Sequence, residues 1–215
     1  KLEGVLGRFD DALGEEADDA EGEVELEAVA AALRNGEIVA WFQPQAEFGN
    51  GKVVGVEALA RWERSDGSVV RPHQCVPLLE REGLANALTD RMLDDACAWK
   101  QRWDLAGQRL RLSVNVSTHA LTDPAAADRY QAIVTGYGIA PEDVVLEITE
   151  SSVMTDAARG LGVPARLRPK GLGLSIDDLG TGFPSRPQPS HILPIELKVV
   201  RDFGTSPPYA PRKPA

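Results

Sequence analysis

A chain of 215 residues with 43% hydrophobic and 26% charged residues has ordinary globular composition and room for one sizeable core. No apolar run reaches the roughly 18 residues that cross a bilayer, and the opening residues lack the basic-then-apolar pattern of a secretory signal, so the expected location is the cytoplasm. The net charge of −10 is concentrated in residues 10–27, which hold ten acids and no base, and the aromatic residues are not interleaved with basic ones, which argues against a DNA partner.

Residues 1–23 therefore read as an acidic linker, or the end of an upstream domain, joined to a main domain over 24–203. Residues 204–215 read as a proline-rich disordered tail. Cys75 and Cys97 have no CxxC or histidine spacing around them and read as reduced structural thiols. His73, His119 and His191 have no partner at metal or triad spacing and read as structural.

In chain order, helical spacing from residue 24 ends on Asn35-Gly36, a C-cap signal. Strands are predicted over 37–45 and 52–62, joined through Asn50-Gly51 as an antiparallel pair. Helices follow over 76–88 and 89–103, then a strand over 109–117. Next comes a helix over 123–138 with Asp123 as N-cap and Pro124 at its first position. A strand over 144–151 precedes a segment, 157–171, in which Pro164 and Pro169 oppose the helix otherwise due there. Strands over 171–178 and 195–200 complete the series.

Strands alternating with helices predict βα units around a parallel sheet. Glu57, Asn115, Glu147 and Asp177 each interrupt an apolar strand near its C-terminal end, and Lys198 holds the equivalent place in the next strand. A (β/α)8 barrel brings those ends to one face. Glu57, Glu147, Asp177, Asp178 and the Asn115 amide oxygen are hard donors suited to Mg²⁺, Mn²⁺ or Ca²⁺ rather than zinc. Two such ions form the usual clamp for in-line attack on a phosphodiester. Lys198 is placed to orient the attacking water or to neutralise the phosphate.

The same residues carry a resemblance to the EAL-domain family, the cyclic-di-GMP phosphodiesterases of bacterial signalling. FQPQ (42–45), EALARW (57–62), VNVS (114–117), EITES (147–151) and DDLGTGF (177–183) resemble five family motifs in order. The resemblance implies a TIM-like (β/α)8 barrel with an antiparallel first strand, and two-metal hydrolysis of cyclic di-GMP to linear pGpG with Mg²⁺ or Mn²⁺. It implies that Glu57, Asn115, Glu147, Asp177 and Asp178 are metal ligands and that Lys198 supports the attacking water. Gln43, Leu59 and Arg61 match substrate contacts. Glu150 matches the glutamate that holds the loop after the Asp pair, a loop that couples metal binding to a homodimer interface in the family.

Departures from the pattern lie late in the chain. Leu179 replaces an aromatic residue and Pro184 a serine, and Pro187 and Pro189 oppose the helix expected after DDLGTGF. Ten of the 15 prolines follow residue 163, the pattern of a truncated or frame-shifted 3′ end. The expectation is an incomplete barrel of about six of eight strands, lacking counterparts of the family's late glutamate and glutamine. Beside the enzyme, the readings left open are an inactive cyclic-di-GMP receptor or interaction module, and a non-functional fragment.

Overall fold

The computed structural model describes residues 24–47, 50–149 and 167–177. Helix α1 (Leu26–Asn35) stops at Gly36, whose φ of 76° is the left-handed C-cap that the Asn35-Gly36 pair predicts. Strands β1 (Ile38–Ala46) and β2 (Val53–Glu63) pair antiparallel from Ile38 opposite Trp62 to Ala46 opposite Val53. A two-residue strand, β3 (Val69–Val70), adds to β2 and was not anticipated. Beyond it, β2, β4 (Arg111–Asn115), β5 (Val144–Thr149) and β6 (Gly173–Asp177) run parallel in the order β1-β2-β4-β5-β6. This is the TIM-like α/β fold with an antiparallel first strand; among the described residues the six strands form an open sheet. The predicted strand over 195–200 and the proline-rich stretch before it lie outside the described residues, as do residues 1–23 and 204–215.

Helices α2 (Pro72–Arg81) and α3 (Ala85–Leu105) divide differently from the prediction. Gly83 takes a φ of 73° and the Leu84 amide bonds back to the Leu79 carbonyl at 2.8 Å, which ends α2 at that turn. Residues 85–88 therefore open the long helix rather than finish the previous one. A short helix, α4 (Thr118–Leu121), follows β4, and α5 (Ala126–Gly136) begins later than its predicted Asp123 cap. The Asp123 carboxylate accepts from the Ala125 amide at 2.9 Å, so it closes a turn ahead of the helix instead of capping the first helical residues.

Strand alternation sorts the sheet into two faces. Phe42 meets the rings of Trp103 and Trp99 on α3 edge-on at 4.7 and 6.3 Å. Val56, Ala58, Leu112, Val114 and Leu146 join the same apolar core. Each aliphatic side chain buried there contributes on the order of 1.5–3 kcal/mol for the larger residues. The intervening residues, Gln43, Glu57, Ser113, Asn115, Glu147 and Ser175, consequently share the opposite face.

On the side of β1 away from β2, which carries no strand among the described residues, α3 bonds to the backbone of β1 and the Gly36 cap before it. Arg91 donates to the Ile38 carbonyl at 3.0 Å and to the Gly36 carbonyl at 3.3 Å, while the Asp95 carboxylate accepts from the Ala40 amide at 2.8 Å. Pro44, four residues further along the same edge, has no amide to satisfy. No helix among the described residues is long and apolar enough to cross a membrane.

Candidate functional site

The pairing register lines up two rows of polar residues. In the first, Glu57 on β2 stands between Gln43 on β1 and Ser113 on β4. In the second, Glu147 on β5 stands between Asn115 on β4 and Ser175 on β6. The Asn115 side-chain amide donates to the Glu57 Oε1 at 2.9 Å and so ties the rows together. Both acids are out of bulk water, Glu57 at 9% and Glu147 at 2% exposure. Glu147 lies two residues before the end of β5, whereas Glu57, expected near a strand end, sits in the middle of β2 because that strand runs on to Glu63 in its pairing with β1 and β3. A carboxylate buried to this degree requires hydrogen-bonding or cationic company; polar neighbours on both sides of each acid answer part of that need.

Three further predicted positions join this face. Leu59 and Arg61 follow Glu57 at alternate positions of β2, both half-buried, and Gln43 is exposed directly across from Glu57. Arg61 donates its Nη1 to the neighbouring Ala60 carbonyl at 2.8 Å. Asp177 ends β6 opposite Thr149, which brings its backbone to the same rim. The Asp177 side chain, and all of Asp178, Glu150 and Lys198, lie outside the described residues. Among the described residues no three acidic, histidine or cysteine side chains come together as a metal cluster.

The donors that are in place have a consistent chemistry. Two buried carboxylates and one carboxamide offer hard oxygen ligands, with no thiol or imidazole in either row. That set fits Mg²⁺ or Mn²⁺ and does not fit a structural zinc. Cys75 and Cys97 are buried free thiols, and burial pushes the Cys97 thiol up to about 12, so it is an inert core residue. His119 is exposed on α4 with its Nδ1 3.5 Å from the Ser117 hydroxyl, and His73 is exposed on α2.

Ser113, Ser175 and Gln45 are members of this face that the motif reading passed over. Ser113 and Ser175 are buried. They precede Asn115 and Asp177 by two residues, the period at which a strand returns to the same face, so alternation alone marks them. Gln45 is half-buried one layer below Gln43, with its carboxamide beside the Ser113 hydroxyl.

Comparison with known proteins gives this arrangement its context. The family model described as the EAL domain matches residues 26–206. The bifunctional diguanylate cyclase/cyclic di-GMP phosphodiesterase MucR of Pseudomonas aeruginosa is 33% identical over 179 residues, covering 83% of this chain and 26% of that protein. The cyclic di-GMP phosphodiesterase RocR of the same organism is 31% identical over 182 residues, covering 83% of this chain and 46% of that protein. The chain thus spans less than half the length of either curated relative. A solved structure of the PaMucR phosphodiesterase in complex with c-di-GMP superposes with a TM-score of 0.68 at 34% identity, covering 74% of this chain and 65% of that one. With a match across most of its length, and with Glu57, Asn115 and Glu147 gathered on one face of the sheet, the chain belongs to the EAL domain family.

Proposed function

We propose that this chain is a cyclic-di-GMP phosphodiesterase domain of the EAL type. It adds one water across one phosphodiester bond of cyclic di-GMP to give linear pGpG. The observation that carries the reading is the Asn115 to Glu57 hydrogen bond at 2.9 Å, which joins two rows of oxygen donors on a single face. Glu57, Asn115 and Glu147, with Asp177 and Asp178 beyond them, would hold two divalent cations, Mg²⁺ or Mn²⁺. When bound, such cations neutralise the phosphate and lower the pKa of the attacking water.

The chain's own groups divide the remaining work. Arg61 presents a planar guanidinium fork to a phosphate oxygen, the geometry that suits bidentate contact. Gln43 lies exposed opposite Glu57, where its carboxamide meets the nucleotide, and Leu59 supplies the apolar surface between them. Lys198 orients the water or takes its proton, and Glu150 holds the loop after the Asp pair. In this reading residues 24–203 form the catalytic domain, the acidic segment before it links to an upstream sensor, and the protein works as a homodimer in the cytoplasm.

The test is incubation of the protein with cyclic di-GMP and Mn²⁺, with chromatographic detection of pGpG and Glu57→Ala as the blank. Product above the blank is the expected result. Nucleotide binding without product would replace the enzyme with a receptor, and neither binding nor product would remove the reading altogether.

A further inference from the structure

Gly55 stands opposite Gln45 on β1 and opposite Arg111 on β4, one layer below Glu57 on the same face. A Cβ at this position would lie 3.0 Å from the Gln45 Oε1 and 3.0 Å from the Arg111 carbonyl. The absence of a side chain at Gly55 is what lets Gln45 lie flat across β2. From there its carboxamide reaches the Ser113 hydroxyl, at 3.4 Å from Nε2 and 3.5 Å from Oε1. Ser113 is buried and is the direct neighbour of Glu57 in the first polar row. Gln45 therefore spans three strands, from β1 over β2 to β4, immediately beneath a buried carboxylate.

We propose that Gln45 is a positioning residue: its carboxamide, laid across Gly55 onto Ser113, forms the floor of the site and holds the Glu57 carboxylate towards the cation and the open end of the sheet. The inference rests on the metal-site reading above. Gln43 already flanks Glu57 at its own level and Asn115 holds it from the next row. The layer below is another direction into which the carboxylate could turn. A carboxamide and a hydroxyl that share their hydrogen bonds there turn the Glu57 carboxylate towards the cation side. Both contacts are long, so their individual strength is modest; the device acts through the direction that the shared amide–hydroxyl bridge imposes, and Gly55 is its steric precondition.

The experiment is titration of the whole chain with Mn²⁺ alone, by calorimetry, with thermal melting in EDTA as a control for folding. Gln45→Leu keeps the bulk and removes the amide, and Ser113→Ala removes the hydroxyl. Each is expected to weaken Mn²⁺ about fivefold, the scale of one net hydrogen bond, at an unchanged melting temperature. The double variant should lose no more than either single one, since both break the same bridge, and Ser113→Thr, which keeps the hydroxyl, should retain wild-type affinity. Unchanged affinity in both single variants, additive losses in the double one, or a Ser113→Thr loss equal to that of Ser113→Ala would overturn the assignment. Glu57→Gln separates the levels: if it leaves Mn²⁺ affinity untouched, the metal site falls with the floor beneath it, whereas a loss there with normal Gln45 and Ser113 variants removes the floor alone.

Discussion

Replacing Asn115 by Asp exchanges the donor of a 2.9 Å hydrogen bond to Glu57 for a second negative oxygen. Two unit charges at that separation repel by about 1.4 kcal/mol in bulk water and about 6 kcal/mol at an effective dielectric near 20. Asn115 is exposed while Glu57 is buried, so the cost sits towards the lower bound, about 2 kcal/mol once the pair relaxes. For a domain of this size that corresponds to a fall of about 4–8 °C in melting temperature in EDTA. One carboxyl of the new pair binds its proton more tightly in the folded than in the unfolded state, so its folded pKa is raised. The penalty is therefore absent below the unfolded carboxyl value of about 3.9 and grows as pH climbs through the folded pKa. Added Mn²⁺ should reverse the balance, because the new carboxylate becomes a further anionic ligand and binding to the folded state alone stabilises it. Scanning fluorimetry of both proteins, with EDTA and with millimolar Mn²⁺, reads the two gaps. No gap in EDTA would refute the Asn115–Glu57 contact, and the same gap with and without Mn²⁺ would refute the cation site built on it.

Lys100 is 1% exposed, with its Nζ 3.1 Å from Asp104 and 3.5 Å from Asp143. Lys100→Met keeps the packing but strands two acids that still reach water, so urea denaturation should show a loss of about 2 kcal/mol, short of the 3–5 kcal/mol of a fully buried pair. Burial holds the Asp90 carboxyl above its usual 3.8 despite the Arg129 guanidinium at 3.1 Å. Its contribution is full below 3.8 and declines as pH rises through the folded pKa, so Asp90→Asn should flatten melting temperature against pH across that window. Cys97, with its thiol pushed up to about 12 by burial, should resist a disulfide reagent at pH 8 in the folded protein and react once urea unfolds it.

Local rules made the strands, the antiparallel β1–β2 pair and the faces of the sheet readable, because alternation and turn chemistry act over a few residues. The gathering of Glu57, Asn115 and Glu147 on one face followed from the same alternation once the strands were parallel. What escaped depends on relationships that no local window contains. The bond from Asn115 to Glu57 is diagonal, joining residues that are not register partners. It arises from the stagger between β2 and β4. The role of Gly55 depends on Gln45 and Arg111 lying on either side of it, which no stretch of sequence around residue 55 contains. The boundary between α2 and α3 was misplaced because residues 76–88 keep helical spacing through Gly83, and the turn there is fixed by a backbone bond that spacing does not reveal. Asp123 has a capping residue's chemistry, yet its side chain bonds Ala125, and the helix starts one residue beyond that.

The grip of α3 on β1 has a different kind of consequence. Arg91 and Asp95 take hold of the Gly36 and Ile38 carbonyls and the Ala40 amide, groups that every non-proline residue carries. Positions 38 and 40 can therefore change identity, within the limits of their own packing, without loosening the grip, while positions 91 and 95 cannot; Gly36 is fixed separately, by the left-handed φ of 76° that ends α1. Among descendants of this chain the contact would leave a one-sided record: two constrained helix residues with no co-varying partners in the strand. A search for paired substitutions would pass over a junction on which the placement of Gln43, further along the same strand, depends.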